Sequence, residues 1–144
     1  MLHDRARNHV RDPLGAALDV VGDRWTLLVV RDLLRGHSRF NQLRESVVGI
    51  ASNVLADRLR RLEANGIVTR HPYSDAPPRA GYVLTPKGHG LGAVVGALLL
   101  WGERHAAHEL SLIDMECGHD VALTYRCPQC GHDTPRSRLR IVEA

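Results

Sequence analysis

All three cysteines of the chain lie between positions 117 and 130: Cys117, Cys127 and Cys130. Cys127-Pro128-Gln129-Cys130 has the C-x2-C spacing that suits a tetrahedral metal ion such as zinc. Cys117 and Cys130 are each followed by Gly and His. A Cys-Gly pair can form a tight knuckle, because glycine lets backbone amides approach the sulfur. Cys117, Cys127 and Cys130 supply three thiolates, and a structural site needs a fourth ligand. In a two-knuckle ribbon the symmetric position is Asp114; His119 and His132 are the alternatives. The expected cofactor is one structural zinc with no open coordination position. Free thiols, one disulfide, or a disordered segment are the competing readings. Three cysteines do not make an even disulfide framework.

A second group of residues points to different chemistry. In Ser52–Gly66 (SNVLADRLRRLEANG), Leu55, Leu59 and Leu62 recur at helical spacing and share one face. Asn53, Ala56, Asp57, Arg60 and Arg61 fall on the other side. Gly66 stands where a helix C-cap glycine belongs, and the β-branched run Ile67-Val68-Thr69 comes next. A recognition helix leading into a wing has this form. A surface helix with solvated arginines is the plain alternative.

These groups need elements to position them. Residues 1–11 carry no apolar period and are expected to be a flexible arm. Asp12-Pro13 starts a helix that Gly22 ends. Asp23 caps a second helix, from about Arg24 to Leu34, with Trp25, Leu28, Val29 and Leu33 as its buried stripe. A short third helix runs from Arg39-Phe40 to about Ser46, with Phe40, Leu43 and Val47 inward. Short helix, turn at Val48-Gly49-Ile50, and longer basic helix make a helix-turn-helix. Ile67–Tyr73 and Arg79–Leu84 form a hairpin, the candidate wing, around the turn residues 74–78. Thr85-Pro86 opens a long helix to about Glu109. Its glycines at 88, 90, 92, 96 and 102 cost roughly 1 kcal/mol each when interior, so packing must hold it; it reads as a dimerisation helix. The domain reading is therefore a winged unit over 12–110, a zinc ribbon over 111–135 and a basic tail over 136–144. The fold class is mainly α with a small β wing (α+β).

At 144 residues the chain holds one domain with a small appendage. The net charge of +3 is compatible with a nucleic-acid partner. Aromatic residues are only 4%, which argues against a base-stacking platform for single strands. The first thirteen residues, MLHDRARNHVRDP, do not resemble a signal peptide. The longest apolar run, Leu91 to Trp101, is too short to span a bilayer. A cytoplasmic protein with no membrane partner is expected.

Several blocks, in order, now become specific: Gly22-Asp23-Arg24-Trp25, Arg39-Phe40, Leu55 to Glu63, Gly66-Ile67-Val68, and Tyr82 to Gly88. Together they closely resemble the HxlR-type winged helix-turn-helix regulators, relatives of the MarR group, over roughly Asp12 to His105. The resemblance implies a homodimer that binds double-stranded DNA at a two-fold related operator, mostly as a repressor. The helix from Ser52 would enter the major groove and the wing would lie near the minor groove. Many members carry a cysteine at the start of the first helix and use it to sense oxidants, quinones or aldehydes. Here that position is Asp12, and a carboxylate cannot replace a thiolate nucleophile. Some members carry a similar C-terminal cysteine ribbon.

Within that frame Ser52 and Asn53 lie at the front of the reading helix. Asn pairs bidentately with adenine and Arg with guanine. Arg60 and Arg61 face outward; Arg58, beside the buried stripe, suits a phosphate contact or a salt bridge to Glu63. Arg39 suits a backbone contact. Arg79 is the leading wing residue, ahead of Arg70 and His71. Asp57 would repel phosphate or accept from cytosine N4. A small-molecule effector between the long helix and the DNA-binding domain is a further partner to consider, although Trp25 and Trp101 read foremost as core. Two rival functions remain: a protein-interaction module, and a zinc enzyme. Against the enzyme, no H-E-x-x-H occurs, and no H-x-E pairs with P-C-x-x-C.

Overall fold

A computed structural model of the chain describes residues 12–143. The flexible arm expected over 1–11 lies outside the described residues. The elements are α1 (Pro13–Val21), α2 (Thr26–Leu34), α3 (Phe40–Ser46), α4 (Ser52–Ala64), β1 (Val68–Asp75), β2 (Pro78–Leu84), α5 (Pro86–His89), α6 (Leu91–His105), β3 (Tyr125–Arg126) and β4 (Asp133–Thr134). A 3-10 turn spans Arg136–Arg138. The chain divides into two compact units, with the boundary inside α6 between Val95 and Gly96.

The first unit is a winged helix-turn-helix. Asp12 Oδ1 accepts from the Leu14 amide at 2.9 Å and Pro13 fills the first helical position, so α1 starts where expected. Gly22 ends it with its N–H on the Leu18 carbonyl at 2.7 Å. A Cβ at Gly22 would stand 2.3 Å from that same oxygen, so no other residue fits unshifted. The next helix begins at Thr26, two residues later than expected, because the Asp23 carboxylate first folds Trp25 and Thr26 around itself. Its Oδ1 accepts from both amides, at 2.9 and 3.1 Å.

The buried face of α2 also differs from the expected stripe. Thr26, Val29, Val30, Asp32 and Leu33 are buried, while Trp25 and Leu28 are only half-buried. Asp32 takes an inward position because its charge is satisfied there. Arg31 donates from Nε at 2.8 Å and Nη2 at 3.0 Å, and Arg35 from Nη1 at 3.2 Å. Leu43 and Val47 are buried as expected, whereas Phe40 is half-buried at the rim of an open cleft.

Helix α4 closes the core. Leu55, Leu59 and Leu62 are at most 2% exposed, and burying each stabilises the fold by roughly 1.5–3 kcal/mol. A Schellman motif ends the helix: the Ile67 N–H bonds to the Leu62 carbonyl and the Gly66 N–H to Glu63. Gly66 sits at φ +70°. Because the Ile67 amide is committed to that cap, β1 starts at Val68, one residue after the expected strand start. β1 and β2 pair antiparallel from Val68↔Leu84 to Asp75↔Pro78, with a bulge between Pro72 and Ser74.

Thr85 ties the wing to α5. Its N–H bonds to the Ile67 carbonyl at 3.0 Å and its hydroxyl donates to the Gly66 carbonyl at 2.6 Å. The same hydroxyl oxygen accepts from the Gly88 amide at 3.1 Å. Gly88 packs so closely that a Cβ would stand 2.2 Å from the Ile67 carbonyl oxygen. The expected long helix from Pro86 to Glu109 is two helices, α5 and α6, and it stops at His105. Three glycines at 88, 90 and 92 weaken the first turns, and the regular helix lapses at Gly90. Trp101, read as core, is 64% exposed and stacks on His105 with ring centroids 4.7 Å apart.

The second unit, from Gly96 onward, holds most of α6, the β3–β4 pair and an isolated bridge between Ile113 and Asp120. The Leu112 amide donates to Glu103 Oε1 at 2.9 Å, tying the segment back to α6. No described residue of this unit is fully buried.

The two kinds of glycine predict opposite effects of alanine. Gly66→Ala forces a Cβ into left-handed backbone and is expected to cost about 1–2 kcal/mol. Gly102 lies inside α6 with open space around its Cβ position, so Gly102→Ala is expected to stabilise by about 0.5–1 kcal/mol. Urea unfolding midpoints of the two variants measure both signs.

Candidate nucleic-acid interface

The face of α4 opposite Leu55, Leu59 and Leu62 carries the residues singled out for DNA. Ser52 and Asn53 are exposed at its first turn, and Arg60 and Arg61 are exposed further along. Arg44 of α3 approaches Ser52, with Nη1 3.5 Å from Oγ. Arg60 leans on its own helix, with Nη2 3.5 Å from Asp57 Oδ1. Asp57 thus steers Arg60 along the outer face as well as setting a negative charge there.

Arg58 has different partners from those expected. Its guanidinium does not pair with Glu63. Nε donates to Asp23 Oδ1 at 2.9 Å and Nη1 to Asp57 Oδ2 at 2.6 Å. The side chain is 19% exposed. Asp23 therefore caps α2 and holds α4 with one carboxylate. Burial opposes its ionisation. The Thr26 hydroxyl, the Trp25 amide and Arg58 outweigh that and hold the carboxyl well below the usual range. A pairing across 35 residues of sequence has no local signal; only packing α4 against the start of α2 produces it.

Arg39, Arg70 and Arg79 gather between α3 and the wing. An open cleft of about 620 Å³ is lined by Arg39, Phe40, Gln42, Arg70, Tyr73, Arg79 and Tyr82, and the Glu45 carboxylate is part of the same lining. The α3 start is pinned to the wing, because the Tyr82 amide donates to the Ser38 carbonyl at 2.7 Å and Arg39 bridges to Gly81. Gln42 Oε1 accepts from the Ser38 and Arg39 amides, at 3.2 and 3.1 Å, and fixes the turn. The Arg39 guanidinium lies over the Tyr73 ring, 4.6 Å from its centroid, a cation–π contact. Arg70, weaker than Arg79 as a wing candidate on sequence, joins Arg39 and Arg79 in the same cleft. Sequence reasoning misses Tyr73 and Tyr82; two tyrosines in a hairpin carry no signal for a cleft formed with a helix some 30 residues earlier. His71 hydrogen-bonds Thr69 on the wing, with Nε2 2.8 Å from Oγ1.

The family decides what this arrangement is for. Residues 20–110 match the HxlR-like helix-turn-helix family. The chain belongs to that family. An uncharacterised HTH-type transcriptional regulator of Mycobacterium tuberculosis is 36% identical over 126 residues, covering 85% of this chain and 79% of the relative. Among solved structures, a candidate transcription factor, PA1607, superposes with a TM-score of 0.80 at 30% identity, covering 96% of this chain and 99% of its own. The redox regulator HypR in its reduced form gives a TM-score of 0.61 at 36% identity, over 65% of this chain and 92% of its own. This HxlR-family chain is a DNA-binding transcriptional regulator and not an enzyme. No helix among its described residues is long and apolar enough to cross a membrane.

The metal candidates lie apart from this face in sequence, in the second unit. Cys117, Cys127 and Cys130 are free thiols, and Cys117 and Cys130 are exposed. Among the described residues, no three of the His, Cys, Asp and Glu side chains are gathered as a ready-made metal cluster. Asp114 and Cys127 each head a hydrogen-bonded turn. His119 and His132 close those turns through their carbonyls, which accept from the Asp114 and Cys127 amides at 3.0 Å each.

The Asp23 environment sets an acid limit. Its pKa is depressed on folding, so its contribution is complete above the unfolded carboxylate range near pH 3.9 and is lost as pH falls below it. Asp32, also held low against burial by Arg31, Ser46 and Arg35, acts in the same direction. Asp23→Asn is expected to destabilise the HxlR-family fold at pH 7 and to flatten the fall in stability between about pH 4 and pH 2. Thermal melts of both proteins across that range measure it; parallel curves would remove Asp23 from the account.

Proposed function

We propose that this HxlR-family regulator works as a homodimer that reads a pseudo-palindromic operator and represses the gene beside it. The observation that carries the reading is the division of labour on the winged unit. Ser52, Asn53, Arg60 and Arg61 are free of the core on α4, and Arg39, Arg70 and Arg79 surround one cleft between α3 and the wing. Residues on α4 reach base edges, and the cleft takes the phosphate backbone, which positions without specifying. Arg58 positions α4 from behind through Asp23.

Apolar exposure supports the homodimer. Leu14 and Leu18 on α1 are 66% and 54% exposed, and Leu98 and Trp101 on α6 are 52% and 64% exposed. Large apolar side chains along two helices need a covering surface, and a second copy supplies the same two helices by symmetry. Asp12 caps α1 where many members of the family carry a reactive cysteine, so the inducing signal does not act through a thiol at that position.

Footprinting and fluorescence anisotropy on the DNA flanking its own gene test the reading. Affinity is expected to fall roughly a thousandfold between about 50 and 200 mM salt. Arg60→Ala/Arg61→Ala is expected to lose tenfold or more in specific affinity while keeping the thermal stability of the parent. Unchanged affinity in that double variant would move base reading off α4. Sedimentation equilibrium is expected to give twice the 16.0 kDa chain mass, reduced towards the single mass by Leu14→Glu/Leu18→Glu. A monomer in the parent protein would sink the two-fold operator.

A further inference from the structure

The two turns of the second unit are built to one plan, offset by thirteen residues throughout (114 to 127, 117 to 130). In the first, the Gly118 amide donates to the Asp114 carbonyl at 2.8 Å and the Asp114 amide to the His119 carbonyl at 3.0 Å. In the second, the Gly131 amide donates to the Cys127 carbonyl at 2.8 Å and the Cys127 amide to the His132 carbonyl at 3.0 Å. Gly118 and Gly131 share one left-handed conformation, at φ +73° and +71°. Antiparallel pairing flanks both turns, Ile113 with Asp120 and Arg126 with Asp133.

The leading side chains are used alike. Asp114 Oδ1 accepts from the amides of Glu116 and Cys117, at 2.7 and 3.0 Å. Cys127 Sγ accepts from the amide of Cys130 at 3.4 Å. A carboxylate in the first turn thus does what a sulfur does in the second. Amides aimed at the leading atom favour its charged form in both.

The second unit also lacks an apolar core of its own. From Gly96 to Glu143 no described residue is fully buried. A segment of this size without a core needs a staple, either a disulfide, a metal ion or another chain. Two cysteines of one C-x2-C turn and a third on the other turn make a poor disulfide set and a good metal set.

We propose that Asp114, Cys117, Cys127 and Cys130 bind one divalent cation of the zinc class, drawing the two turns together. The donors are one oxygen and three sulfurs. Asp114 is taken ahead of His119 and His132 because it holds in the first turn the position that Cys127 holds in the second. The thiols release their protons to solvent as the cation binds, and the ion takes the place of the apolar core that this unit lacks. The site shares no residue with the DNA-reading face, so the proposal stands or falls independently of it.

The test uses the untagged full chain, stripped with a chelator and titrated with cobalt(II), followed by zinc. The expected result is one cobalt per chain, a near-ultraviolet thiolate-to-cobalt band, and displacement by zinc. Asp114→Ala is expected to weaken cobalt binding tenfold or more. Asp114→Cys is expected to keep one site and raise the band by roughly a third, as four thiolates replace three. His119→Ala and His132→Ala are expected to titrate like the parent. Limited proteolysis is expected to cut stripped protein after residue 105 and to spare the zinc-loaded protein. No thiolate band in the parent would overturn the site. Parent-like titration of Asp114→Ala, or loss of binding in either histidine variant, would overturn the carboxylate ligand.

Discussion

The carboxylate of Asp23 joins two helices of the winged unit, the start of α2 and the middle of α4. One oxygen organises the first turn of α2 and also receives Arg58 from the middle of α4. The ion pair is partly shielded from water, which makes it more directional than a surface pair. The three leucines of α4 bury one face, and Arg58 ties the middle of the same helix to the start of α2. One arginine of α4 is thus committed to ion pairs within the fold, and its neighbours Arg60 and Arg61 stay exposed.

The wing is held by a similar economy of groups. The Ile67 carbonyl accepts from Thr85 while its amide completes the cap of α4. Thr85 and Gly88 then bring the start of α5 against the same peptide, at a distance that excludes any side chain at Gly88. Helix end, strand start, strand end and helix start therefore meet around two peptides. The hairpin leaves this junction with its root buried, at Val68 and Leu84, and its outer part exposed. Its other anchor, Ser38 to Tyr82, places Arg39 opposite Arg70 and Arg79. The cleft lies between α3 and the hairpin that this second anchor joins.

The order of elements is legible in the residues because it rests on short-range chemistry. Asp12-Pro13, Gly22, Asp23, Gly66 and Thr85-Pro86 are start and stop signals whose hydrogen bonds reach only a few positions, and each is used as its type requires. The leucine period of α4 likewise reports the buried face directly. Expectation and structure part where a local pattern meets a tertiary demand. Spacing puts Phe40 inward, yet it lines an open cleft. Size puts Trp101 in a core, yet it stands on an uncovered helix face. Apolar period alone draws the glycine-bearing helix in one piece, although its first turns serve the Thr85 junction and lapse at Gly90.

The sequence by itself determined the winged helix-turn-helix class, the family, the buried face of α4 and the turn pattern around the cysteines, because periodicity, caps and motif spacing are properties of neighbouring residues. Only the tertiary structure decided which arginines are free and which are committed. It took Arg58 away to Asp23, kept Arg60 beside Asp57, and gathered Arg39, Arg70 and Arg79 into one cleft. Charge looks the same at every arginine in a string of letters; what distinguishes them is the partner that folding brings within hydrogen-bond reach or leaves to solvent.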